Sequence, residues 1–230
     1  MTEIWKIIEE KNKIFKIIFN YPNPVLINSL LKTKIIQGGT STDNYKIVKF
    51  KADSVKSLHQ FQVEKQKESG KLQLDINEMA SLIKNLSLQL NYLLKFESHT
   101  IIGYNPENII VINDRIFAFL GSEFITRVSN NMALISFPFT TTDFFLSPEL
   151  LKIKELPSYV DYKTAYFSLG CLALHILLPD NEFYNEYLKK QEQINLEKLL
   201  TSSPIKHTKL YWLLSRCLTL EPENRSILFI

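Results

Sequence analysis

Gly103-Tyr104-Asn105-Pro106-Glu107-Asn108 runs directly into the apolar stretch Ile109-Ile110-Val111-Ile112, and the fold reading turns on this passage. The polar, proline-containing half is a turn, because Pro removes a backbone donor and Asn tolerates the tight conformations a turn needs. The four β-branched residues after it form a short buried strand. Asn113-Asp114 makes a two-residue corner, and Arg115 to Phe119 returns as a second strand, so the stretch reads as a hairpin.

From Asp53, fifty residues before this passage, the period is helical. Asp75 with Glu78 three residues later is a capping box, opening a helix that runs to about Lys95. Met79, Leu82, Ile83, Leu86, Leu90 and Leu93 form its buried stripe. A shorter helix covers Ser54 to Gln66 and stops at Ser69-Gly70. Beyond the hairpin, residues 121 to 145 read as an irregular surface segment. Tyr162 to Leu178 is apolar almost all round, which marks a central helix ended by Pro179. Further helices cover roughly 181 to 201 and 205 to 219. At the N-terminus, Ile4, Ile8, Phe15 and Ile18 predict an amphipathic helix over residues 3 to 19, ended by Tyr21-Pro22-Asn23-Pro24. Val25 to Ile36 and Tyr45 to Phe50 read as strands, with a turn from Gly38 to Asn44.

The central stretch resembles the catalytic loop of eukaryotic protein kinases, HRDLKPEN followed by an apolar strand. On that resemblance the catalytic Asp falls on Gly103, the His and Arg before it on Ile101 and Ile102, and the DFG triplet on Phe119-Leu120-Gly121. Ser147-Pro148-Glu149 resembles the APE triplet, with Thr142 and Phe145 at the threonine and tyrosine places of the activation loop. Ser168-Leu169-Gly170 resembles the DxWSLG start of the central helix, with Ala165 and Phe167 replacing its Asp and Trp. Leu220 to Arg225 is similar to the DPxxR segment, so the resemblance implies a buried Glu149–Arg225 ion pair. Four motifs in the family's order imply an α+β, mainly α fold: a kinase-like large helical lobe over residues 51–230, with a reduced helix-plus-strands lobe over residues 1–50.

In the small lobe, Lys49 invites comparison with the lysine that holds ATP phosphates. Residues 50 to 100 have too little room for the elements that would then follow. Tyr45 to Phe50 therefore fits as the last small-lobe strand, and Tyr21 to Pro24 resembles the turn after the regulatory helix. On this register neither a glycine-rich loop nor a phosphate lysine is present.

Phosphoryl transfer needs metal ions, a phosphate cradle and a carboxylate that orients the attacking hydroxyl. Gly103 and Phe119 occupy the two carboxylate positions, and Asn108 alone offers too few hard oxygens for Mg²⁺. Asn108 is then vestigial, bonding its own loop, and Asp114 is a hairpin residue. The sequence thus predicts no catalytic, cofactor or metal site, and a pseudokinase acting as a protein-binding scaffold or subunit of a larger assembly. Open beside it are a pseudokinase that activates a competent kinase, a kinase with displaced residues, and a likeness to KIND domains, which are kinase large lobes that bind peptides. Phe137, Phe139, Phe144 and Phe145 are the candidate docking residues, provided that they are exposed.

Composition agrees with protein partners. Net charge is +3 with only four Arg, which argues against nucleic acid. The N-terminus is too charged for a signal peptide, and no apolar run approaches a membrane span, so an intracellular place, cytoplasmic or cytoskeleton-associated, is expected. Cys171 and Cys217 read as buried thiols.

Overall fold

A computed structural model describes residues 5–70, 73–139, 145–178, 196–203 and 205–228. The chain is an α+β fold with three small sheets, one of them in an N-terminal unit with its own helix and the others against a helical body.

The N-terminus is not the expected helix. It is a hairpin of β1 (Trp5–Glu10) and β2 (Ile14–Phe19), turned by Asn12 and Lys13, both at positive φ (64° and 57°). Two successive left-handed residues make the turn whose twist suits a hairpin, here built without glycine. Its inward residues obey a period of two: Phe15, Ile17 and Phe19 are buried. The helix comes next, α1 (Pro24–Lys32), where a strand was expected. Pro24 sits in its first turn, where its fixed φ and missing N–H cost nothing. Leu26, Ile27 and Leu30 share its buried face. Strands β3 (Thr40–Thr42) and β4 (Ile47–Lys51) complete a sheet of order β1-β2-β4-β3. The small N-terminal unit therefore holds four strands and a helix, rather than a helix and two strands, and the Tyr21–Pro24 turn precedes its helix.

The chain then forms β5 (Val55–Ser57) and α2 (Leu58–Ser69), which carries a Ser57–Gln60 capping box and ends at Gly70 with φ 73°. The long helix α3 (Ile76–Tyr92) starts on the expected Asp75–Glu78 capping box, and its stripe from Met79 to Leu93 is fully buried. A π-helical turn, Leu93–Glu97, leads to β6 (His99–Ile101). The hairpin of β7 (Ile109–Ile112) and β8 (Ile116–Phe119) forms as read, with Asn113 and Asp114 at positive φ, and β5 pairs to its outer side. The region read as irregular holds two strands, β9 (Ile125–Ser129) and β10 (Met132–Ile135). With β6 and the edge strand β11 (Ser158–Asp161) they form a sheet of order β11-β10-β9-β6.

Helices α4 (Pro148–Leu151), α5 (Thr164–Leu177), α6 (Leu196–Ser202) and α7 (Lys209–Cys217) build the rest. Helix α5 is buried almost throughout, as a central helix must be. One core gathers α3, α5 and α7 with β7, β8 and β10. A second lies between the inner face of the N-terminal sheet, α1, and the hairpin residues Ile110, Ile112, Ala118 and Leu120. The β7–β8 hairpin thus serves both cores, each face of it against one. Among the described residues no helix is long and apolar enough to cross a membrane.

Candidate functional site

The loop before β7 is anchored from several sides. Tyr104 is wholly buried, its backbone N–H donates to Ser168 Oγ of α5 at 2.8 Å, and its ring meets Phe119 edge to face at 5.1 Å. Gly103 is buried beneath it. Phe119 is also fully buried, and its backbone is clamped by Gln89 of α3, which accepts from Phe119 N (3.1 Å) and donates to Phe119 O (2.9 Å). Gln89 also donates to Ser29 Oγ of α1 at 3.1 Å, so one buried amide ties three elements together. Both positions where the kinase resemblance seeks a carboxylate are therefore packed interior.

Asn108 lies at the mouth of this loop and is satisfied on both ends of its amide. Trp5 Nε1 of β1 donates to its Oδ1 at 3.2 Å, and its Nδ2 donates to Glu123 at 2.8 Å. Its carbonyl accepts from Leu120 N at 2.8 Å, which closes the loop onto the end of β8. Gly121 sits under the same pair. A Cβ there would lie 2.6 Å from Phe119 Cζ and 2.7 Å from Asn108 Nδ2, so the space is filled. Trp5 and Glu123 were missed in the sequence: Trp5 because its segment read as a helix, Glu123 because it follows the motif by two residues.

No lysine of the N-terminal sheet points toward this place. Lys16 and Lys49 are cross-strand neighbours on the face opposite Phe15, Ile17, Val48 and Phe50. Both reach Glu10, at 2.6 and 3.2 Å. Lys49 is thus on the outside of the sheet. Among the described residues, no group of three or more His, Cys, Asp or Glu gathers as a metal site. Asp114 forms part of the hairpin corner, 2.9 Å from Lys56.

The motif residues of the helical body do come together. Ser147 Oγ and Thr164 Oγ1 lie 2.7 Å apart. Arg225, wholly buried, pairs with Glu149 through two parallel contacts, Nη1 to Oε1 at 2.5 Å and Nη2 to Oε2 at 2.8 Å. Its remaining donors reach the carbonyls of Thr219 (2.7 Å), Leu220 (2.7 Å) and Lys163 (3.4 Å), and its Cζ lies 4.9 Å from the Phe167 ring centre. Phe167, which the kinase resemblance sets at a Trp position, is thus the ring beside this guanidinium.

The aromatic docking candidates are not an exposed patch. Phe145 is buried, with its ring 5.4 Å from His175, and Phe137 and Phe139 are half-buried against the main core. Phe144, like Thr142, lies outside the described residues.

Burial sets the titration of the interior groups. The Tyr104 and Cys171 protons are held far above their ordinary range by desolvation, and the Cys217 thiol is pushed up to about 12 by the same cause. Such thiols are inert as nucleophiles. Burial lowers the His175 pKa, keeping that ring neutral. No protein-family model matches the chain, and no curated protein resembles it significantly.

Proposed function

We propose that the chain is a protein-kinase-like module without catalytic activity, serving as a protein-binding scaffold or structural subunit of a larger assembly. The observation that carries this reading is the engagement of both ends of the Asn108 amide, by Trp5 and by Glu123. Where a phosphoryl-transfer enzyme keeps hard oxygens free for metal and phosphate, both ends of the Asn108 amide are engaged by the protein itself. An indole stands beside it, and Phe119 and Gly103 are packed where carboxylates would be needed. The outward placement of Lys16 and Lys49 supports the same conclusion, because both reach Glu10 on the outer face of the sheet rather than a phosphate beside Asn108. The buried Glu149–Arg225 pair, which the kinase resemblance implied, and the Tyr104–Ser168 contact between two of its motifs support the kinase-like frame.

Trp5 and Trp212 are the two indoles of the chain. With Trp212→Phe, the remaining fluorescence reports on Trp5 beside Asn108. Titrating that variant with Mg-ATP should leave its emission unchanged, and a phosphorylation assay on generic substrates should show no turnover. A saturable Trp5 response accompanied by phosphate transfer would overturn the proposal.

A further inference from the structure

We propose that the outer face of the β1-β2-β4-β3 sheet docks an acidic, amphipathic segment of a partner protein. This rests on the reading of the chain as a protein-binding module and adds the surface and the chemistry of what it binds.

Strand register puts the face together. Lys6, Ile18, Ile47 and Thr42 form one row across the four strands. Ile8, Lys16, Lys49 and Thr40 form the next, and Glu10, Ile14 and Lys51 the third. The face therefore presents four lysines, four isoleucines, two threonines and a single glutamate. None of the isoleucines belongs to either core, and Ile8 is 40% exposed. An outward sheet face in water normally alternates away from such residues, so these isoleucines are left over from the packing of this chain.

Its charge is as unbalanced as its polarity. Four lysines and one glutamate give the face +3, which equals the formal charge of the whole chain, so the remainder sums to zero. Lys16 stands directly opposite Lys49, a like-charge pairing that strands avoid. Glu10 bridges the two, and their hydrogen bonds hold its carboxyl below the ordinary range. Among the described residues no carboxylate lies in ion-pair reach of Lys6 or Lys51; Asp53, paired with Lys13, also feels Lys51, so the Lys6 corner keeps the fuller positive charge.

The occupant follows from these features. A second copy of the face would set lysines against lysines. A lipid surface needs side chains that stand proud of the lysines, whereas Ile14, Ile18 and Ile47 are half-buried between them. Nucleic acid favours arginine forks and aromatic rings, and the face has neither. Carboxylates spaced around apolar side chains match the interleaved lysines and isoleucines, supplying both steering and burial.

The test is selection of a displayed random peptide library on the wild-type protein and on Lys6→Glu/Lys51→Glu, whose melting temperatures are compared first. Should that variant unfold, Lys6→Gln/Lys51→Gln replaces it. The wild type should enrich peptides combining Asp or Glu with Ile, Leu or Phe. A synthetic copy of an enriched peptide should bind the lysine variant at least about tenfold more weakly, and bind Ile8→Asn more weakly as well. Enrichment without acidic residues, or equal affinity for wild type and both variants, overturns the proposal while leaving the non-catalytic reading to the nucleotide titration. Co-sedimentation of the wild type, but not the variant, with vesicles containing phosphatidylserine would assign the face to membrane and overturn it too.

Discussion

Replacing Glu149 by Ala would strand the Arg225 guanidinium in the interior. In the native protein that group is wholly buried, and two of its contacts go to the Glu149 carboxylate. Breaking a buried pair by removing one partner costs roughly 3–5 kcal/mol. Two features place this case toward the lower end. The Glu149 side chain is 18% exposed, so water can reach part of the vacated site, and the Thr219 and Leu220 carbonyls still accept from the guanidinium. About 3 kcal/mol is expected, from a total of about 5–15 kcal/mol. For a chain of this size that is a fall in Tm of about 6–12 °C. Glu149→Gln keeps the shape and one acceptor but loses the charge, so it should cost less, about 1.5–3 kcal/mol. Urea denaturation gives the free energies, and Arg225→Met with the double variant completes a cycle. The single losses should not add, because removing both partners leaves no stranded charge. A Glu149→Ala midpoint within error of wild type, or strictly additive losses, would refute the pairing argument.

Gly121→Ala should destabilise by about 1–3 kcal/mol in the same assay, because its Cβ would overlap Phe119 Cζ and Asn108 Nδ2; an unchanged midpoint would mean the space at Asn108 is not filled. Gly103→Asp with Phe119→Asp should remain inactive in a phosphorylation assay and melt well below wild type, since both sites are buried and carboxylates there lack partners; measurable transfer would contradict this. His175, kept neutral by burial, has a folded pKa below its ordinary 6.5. The unfolded chain therefore takes up that proton first, and stability should fall as pH drops below about 6.5, by at most about 1.4 kcal/mol per pH unit until the folded ring also titrates. His175→Leu should flatten that part of a pH–stability curve, and an unaltered curve would show that the ring does not contribute.

The hairpin at residues 109–119 and the α3 helix were legible because several local signals agree there: a capping box, an apolar stripe and a two-residue corner. Glu149 and Arg225, 76 positions apart, were paired only through the kinase resemblance, since nothing local links them. The N-terminal segment was misread for a physical reason. Ile and Lys recur there at spacings compatible with either period, and its turn uses Asn12-Lys13 without the glycine that usually marks one. The run Val25-Leu26-Ile27 looks like a strand by propensity, but Pro24 at its start and the packing of Leu26, Ile27 and Leu30 decide for helix. Once β1 is a strand, Trp5 falls beside Asn108, a contact across 103 positions that no periodicity reveals.

Thermal melting with and without millimolar Mg-ATP tests the central claim most directly. A ligand at 100 times its Kd would stabilise the fold by about 2.7 kcal/mol, a rise of about 5–11 °C. With both ends of the Asn108 amide engaged by Trp5 and Glu123, the account predicts superimposable melts. A rise of several degrees with Mg-ATP that Mg²⁺ alone does not produce would contradict it.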